Sequence, residues 1–218
     1  MTEVLYTMRN GKIADPNIPT DGLICYLDAR GKTNNDIYKN VLLDLSGNGN
    51  HGRLQSFSFT DGSGYENGGL QFDGVDDVLI YSHNLKMTDP RTIFIDMELE
   101  QTAKEQGVQI TLPFGLVIHD ANNFIYNLTR SSYFNTGINT GEGILKGTHK
   151  FVITIESTVE TGKMYYNGQV YANEPQGSVG TYHYDPKQTY MLGKRKINRA
   201  MLYNRVLTDT EIQQLMEV

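Results

Sequence analysis

From Leu23 onward, apolar and polar residues alternate with the two-residue period of β-strands. Leu23, Cys25 and Leu27 take turns with Ile24, Tyr26 and Asp28, and Val78–Tyr81 is a short apolar run. The longest alternation is Thr92–Glu100. There Ile93, Ile95, Met97 and Leu99 share one side, and Thr92, Phe94, Asp96, Glu98 and Glu100 the other. Successive strand side chains point to opposite faces, which predicts one core face and one solvated face. His149–Ser157 repeats the pattern with Phe151, Ile153 and Ile155. Val108–Ile118 is apolar around Pro113, which cannot donate to a ladder, so an edge strand or a break is expected there. Phe124–Leu128, Thr189–Leu192 and Lys196–Tyr203 read as further strands. In Lys163–Tyr171 the pair Asn167-Gly168 separates two β-rich runs, the signal of a two-residue hairpin with positive φ at both positions. The one helical signal closes the chain. Thr208 and Glu211 have capping-box spacing, Leu207 and Ile212 form the staple, and Ile212, Leu215 and Met216 make an apolar stripe. Many short strands and one terminal helix predict an all-β, two-sheet antiparallel sandwich.

Residues 1–21 stand apart, with Pro16 and Pro19 and no sustained period. They read as an N-terminal docking arm ahead of a sandwich domain over residues 22–218. Fixing such an arm costs about 1–2 kcal/mol per residue in backbone entropy. Val4, Leu5, Tyr6, Met8 and Ile13 are therefore expected to recover it against a sheet edge or a neighbouring subunit.

Composition narrows the function. The 218 residues carry 19 basic and 25 acidic side chains, a net charge of −6, which argues against a nucleic-acid partner. No apolar run approaches the roughly 20 residues of a membrane span. No signal-peptide pattern opens the chain, and its one cysteine, Cys25, cannot form an internal disulfide. Synthesis and folding in a reducing cytoplasm are expected, with Cys25 a buried thiol.

Four groups of residues could carry chemistry. Asp44–Gly52 (DLSGNGNHG) reads either as a Ca²⁺ loop or as a tight turn with Gly and Asn at positive φ, His51 serving as a hydrogen-bonding residue. Asp73, Asp76 and Asp77 would repel one another unless a cation or backbone amides offset them. They are the candidate Ca²⁺ ligands, and the competing reading is an Asx-type turn ahead of the strand at Val78. Glu98 and Glu100, about 7 Å apart at Cα on one strand face, are the candidate pair for a glycoside hydrolase; the competing reading is a solvated face. Lys194, Arg195, Lys196 and Arg199 make a basic cluster, either a phosphate site or a solvated strand and turn.

Several segments together resemble the laminin-G-like branch of the concanavalin A-like lectin/glucanase superfamily. They are GLICYLDA (Gly22–Ala29) with DLSGNGNHG, GLQFDGVDDV (Gly69–Val78), KMYYNGQVY, and the terminal stretch ending in YNRVLTDTEI at Ile212. Tyr26 stands where that family often has Trp, and the chain has no Trp but 14 Tyr. The resemblance implies a concanavalin A-like jelly roll with a short C-terminal helix. It also implies a non-enzymatic structural or adsorption module of a tailed bacteriophage virion, on the tail, baseplate, fibre or head decoration. Such a module is made in the host cytoplasm, joined to other virion proteins through its arm within an oligomeric assembly, and able to bind host-surface glycans. A carbohydrate-binding module of a cellular protein and a glycoside hydrolase using Glu98 and Glu100 are the alternatives.

Overall fold

The computed structural model describes residues 16–85, 89–100, 110–111, 113–118, 124–129, 132–135, 146–156, 162–172, 174–176, 188–190 and 194–218. In chain order the strands are β1 (Leu23–Asp28), β2 (Val41–Leu42), β3 (Gly52–Gln55), β4 (Gly64–Glu66), β5 (Gly69–Phe72), β6 (Val78–Ile80), β7 (Arg91–Leu99), β8 (Ile110–Thr111), β9 (Leu116–Ile118), β10 (Phe124–Thr129), β11 (Ser132–Asn135), β12 (Gly147–Ile155), β13 (Gly162–Tyr166), β14 (Gln169–Ala172), β15 (Glu174–Gln176), β16 (Gln188–Tyr190) and β17 (Arg195–Tyr203). A single helix, α1 (Asp209–Glu217), follows. Every strand pairing among the described residues is antiparallel.

The largest sheet has eight strands, ordered β14-β13-β12-β7-β17-β5-β4, with β1 on the part of β17 that β5 leaves free. A four-stranded sheet, β16-β6-β3-β2, packs across it. Between them lies one apolar cluster, in which Ile93, Ile95, Met97, Phe151 and Ile153 meet Leu42, Leu54 and Leu79. A five-stranded ladder, β15-β11-β10-β9-β8, is joined to this core through Phe114, whose ring meets Tyr81 edge-on at 4.8 Å. Phe114 sits in a turn, Pro113–Gly115, between β8 and β9, so the break expected at Pro113 is present.

The predicted antiparallel sandwich with a terminal helix is the observed architecture. The β13–β14 hairpin turns through Asn167 (φ 46°) and Gly168 (φ 83°), as its sequence signal requires. The expected solvated face of β7 holds only at its end: Thr92, Phe94 and Asp96 are buried along with the inner residues, whereas Glu98 is partly exposed and Glu100 exposed. A second apolar cluster covers that face, built from Tyr26, Phe94, Val152, Met201 and Tyr203 of the sheet and Leu207, Ile212 and Leu215 at the helix. The eight-stranded sheet is thus covered on both faces.

Of the arm, residues 1–15 lie outside the described residues. Its last part touches the domain: Ile18 is buried in the second cluster, and Arg205 holds both the carboxylate and the carbonyl of Asp21.

The helix start follows the predicted capping box. The Glu211 N–H donates to Thr208 Oγ1 at 3.3 Å, and the Thr208 N–H donates to Glu211 Oε2 at 2.8 Å. Arg205 also donates to Glu211 Oε2 at 2.9 Å. The guanidinium, with the Thr208 bonds behind it, holds the Glu211 carboxyl down at about 2, below the ordinary 4.5. A depressed acid stabilises the fold fully above its unfolded value and loses that stabilisation as pH falls through its folded value. Between about pH 4.5 and 2, stability is therefore expected to drop by about 1–3 kcal/mol through this group. Denaturant midpoints across that range, compared with Glu211→Gln, check it. An identical slope in the variant would remove Glu211 as the cause.

Candidate functional site

Two of the three acidic residues on the outer face of β7, Asp96 and Glu98, are ion-paired. Asp96 Oδ2 accepts from Arg199 Nε at 3.1 Å and Nη2 at 2.7 Å, and Oδ1 accepts from Asn198 at 2.9 Å. Glu98 lies directly across from Lys196 and forms a salt bridge with it. Glu100 follows the last residue of β7 and is exposed. Strand pairing therefore brings Glu98 to a lysine, and Glu100 stands beyond the end of the strand. Of the acidic face read from the sequence as solvated, Asp96 is buried while Glu98 and Glu100 keep contact with solvent.

The basic cluster is corrected too. Lys194 is exposed, but Arg195, Lys196 and Arg199 are buried. The Arg195 guanidinium lies over the Phe72 ring at 5.1 Å, and burial pulls it down to about 9 against the opposing pull of Asp77. Arg199 sits over Phe94 at 5.4 Å and also donates to the main-chain oxygen of Val218 at 2.6 Å. Lys150 donates to the main-chain oxygens of Met216 and Val218. Two cations thus receive the C-terminal end of α1, where exposed carbonyls favour positive charge.

The Asp44 loop is a packed turn. The Asp44 carboxylate accepts the N–H groups of Tyr26, Ser46 and Asn50 at 2.8–2.9 Å. His51 Nδ1 accepts from the Asp44 N–H, and Asn48 and Asn50 donate to the carbonyls of Leu23 and Ile24. Gly47 and Gly49 take positive φ. The loop is bound to β1 by its own amides. Cys25 beneath it is buried, and burial pushes its thiol well up.

At Asp73, Asp76 and Asp77 the carboxylate oxygens come within 4.8 Å of one another. Asp77 is buried, and its oxygens accept from Ser63 Oγ and the Asp73 N–H, both at 2.9 Å. Burial raises its pKa first, and Asp73 and Asp76 add to the rise. Asp73 Oδ1 accepts from the Val75 N–H at 2.7 Å, an Asx turn. A hard cation here would have to share Asp77 with Ser63 and the Asp73 amide.

This turn adjoins a second feature, absent from the reading of the sequence. Three loops, 29–40, 56–63 and 73–77, meet at the open end of the β4–β5 hairpin. Asn34 Oδ1 accepts the Tyr65 N–H at 2.7 Å, the Tyr65 hydroxyl donates to the Lys39 carbonyl at 3.0 Å, and Lys39 Nζ lies 4.8 Å above the Phe59 ring. Phe57, Phe59 and Tyr65 pack beneath as an aromatic row. From this base Ile37 and Tyr38 project outward, 90% and 75% exposed. The only signal in the sequence is an apolar pair inside the polar run TNNDIYKN, and that run lacks the alternation that marks a strand.

No protein-family model matches the chain, and no curated protein does. Solved structures do resemble it. Trypanosoma rangeli sialidase matches with a TM-score of 0.60 and 16% identity over 91% of this chain and 33% of that one. The botulinum neurotoxin serotype D binding domain matches at 0.57 and 13%, over 91% of this chain and 52% of that one. The receptor binding domain of botulinum neurotoxin mosaic serotype C/D matches at 0.58 and 15%, over 91% and 51%. The chain spans about a third of the sialidase and half of each toxin domain. The likeness is one of fold, a lectin-like antiparallel β-sandwich.

Proposed function

We propose that the chain is a non-enzymatic, glycan-recognising module of the laminin-G-like kind, serving adsorption on the virion of a tailed bacteriophage. The observation that carries the recognition part is a rigid lectin-like sandwich whose candidate hydrolytic carboxylate is spent. Glu98 is ion-paired with Lys196, whereas the loop end is stitched down and presents side chains outward. A glycosidase needs one carboxyl held protonated and a second free to act as nucleophile or base. Glu98 is held by Lys196 and Glu100 stands beyond the end of β7, which favours the non-enzymatic reading. The neighbouring structures, a sialidase and toxin binding domains, support a fold used around glycans and receptors. The virion setting rests on the resemblance to the laminin-G-like branch, whose single-domain members with a short docking arm look similar to structural proteins of tailed bacteriophages.

The direct experiment is an array of neutral and sialylated oligosaccharides, run beside hydrolysis assays on the same compounds. Binding without turnover is the expected result. Turnover abolished by Glu98→Gln would replace this reading with the glycosidase alternative. Absence of both binding and turnover would remove the recognition function.

In the same reading the arm joins the domain to its assembly. Deletion of residues 2–20 is expected to abolish incorporation into the particle. Wild-type occupancy of the truncated protein would overturn this role.

A further inference from the structure

Resting on the glycan-recognition reading, we infer that Tyr38, flanked by Ile37, is the stacking platform for a neutral pyranose ring. Among the described residues with large exposed apolar side chains, Tyr38 is the one aromatic. An exposed ring offers a flat apolar face with a polar hydroxyl at its edge, and the C–H face of a sugar matches it.

The loop is built to hold that ring still. Asp36 accepts from the Thr33 N–H at 3.2 Å and the Thr33 hydroxyl at 2.9 Å, closing a small turn. The N–H groups of Asp36, Lys39 and Val41 then donate to the carbonyls of Thr33, Asp36 and Tyr38 at 3.0–3.1 Å. Bonds from Tyr65 to Asn34 and Lys39 fix both arms of the loop to the sheet edge. A platform fixed before binding avoids the ordering cost that a flexible loop incurs.

Size and charge select the ligand. A stable protein partner needs about 800 Å² on each side and 20–30 residues. Ile37 and Tyr38, even with Val75 of the neighbouring loop, offer far less and match a single sugar ring. Asn35 and Asn40, both exposed, flank the pair in the sequence, and an amide suits hydroxyl groups because it both donates and accepts. Lys39 is turned onto Phe59, Asp36 lies in the same loop, and the whole chain carries −6. Arg30, Lys32 and Lys39 are each only partly exposed, Arg30 paired with Asp28 and Lys39 laid on Phe59, so loop 29–40 presents no fully exposed cation and a neutral hexopyranose is the class that fits.

The test uses the full chain on an array of neutral and sialylated oligosaccharides, followed by calorimetric titration of the strongest binder. Tyr38→Ala should weaken that binding about tenfold or more, as loss of a central aromatic anchor does. Tyr38→Phe should stay within about threefold, because the ring face remains. Val170→Ala, on the β13–β14 hairpin, should bind as wild type. All three should melt as wild type, since the altered side chains are exposed. If wild type binds and Tyr38→Ala binds equally well, the site lies elsewhere and the glycan function stands. Binding confined to sialylated compounds overturns the neutral-sugar assignment. No binding by wild type overturns both this site and the function it rests on.

Discussion

Arg199→Met is expected to destabilise the protein by about 3–5 kcal/mol, because it leaves the Asp96 carboxylate buried without its cation. Arg199 is 1% exposed and lies on the outer face of the central sheet. It donates twice to Asp96, lies over Phe94 and reaches the main-chain oxygen of Val218, so one side chain joins β7, β17 and the end of α1. Domains of this size hold about 5–15 kcal/mol in total, so such a loss is a large share. The pair itself need not be worth that much, since desolvating both ions offsets most of their attraction. The double variant Arg199→Met with Asp96→Leu should therefore recover much of the loss. Urea denaturation of the two single variants and the double gives the coupling directly. A single-variant loss below about 1 kcal/mol would mean that water reaches Asp96 and that the face is open.

The second large effect is expected at the helix. Ile212→Ala should cost about 2–5 kcal/mol, the range for deleting a large aliphatic group from a packed site. Ile212 is buried in the cluster of Phe94, Val152, Met201 and Tyr203, and Leu215 lies beside it. The loss goes beyond a cavity. α1 has nine residues, too few for a free helix to persist in water, so docking holds it. Weakened docking should also uncover the outer face of the sheet and raise binding of a hydrophobic dye below the melting transition. Equal melting temperatures for wild type and Ile212→Ala would show that the helix does not lock the sandwich.

Local patterns carried a large part of the structure. Alternation over Thr92–Glu100 and His149–Ser157 marked the two strands that pair at the centre of the large sheet. Asn167-Gly168 specified its own turn, because few other residues tolerate positive φ at both positions. Thr208 and Glu211 specified the helix start, since each caps the other's amide within one turn of chain. Asp44 and the glycines after it read as a turn for the same reason: their partners lie close in sequence or in the adjoining strand.

What failed to read were long-range pairings between polar residues. Asp96 and Arg199 look like surface charges in any local window, yet 103 positions apart they are buried together. Lys196 and Glu98 likewise become partners through the register of β17 on β7. Ile37 and Tyr38 have no periodicity to announce them; their exposure follows from Asn34 and Lys39 being tied to Tyr65 across the chain. The sequence by itself determined the long alternating strands, the Asn167-Gly168 turn and how the helix begins, because those choices rest on backbone conformation and short-range hydrogen bonds; the short strands β2 to β5, β11 and β15 have too few residues to show a period. Only the tertiary structure decided which charges are neutralised and which side chains are left outside, because burial and ion pairing depend on which faces the sheets and helix bring together.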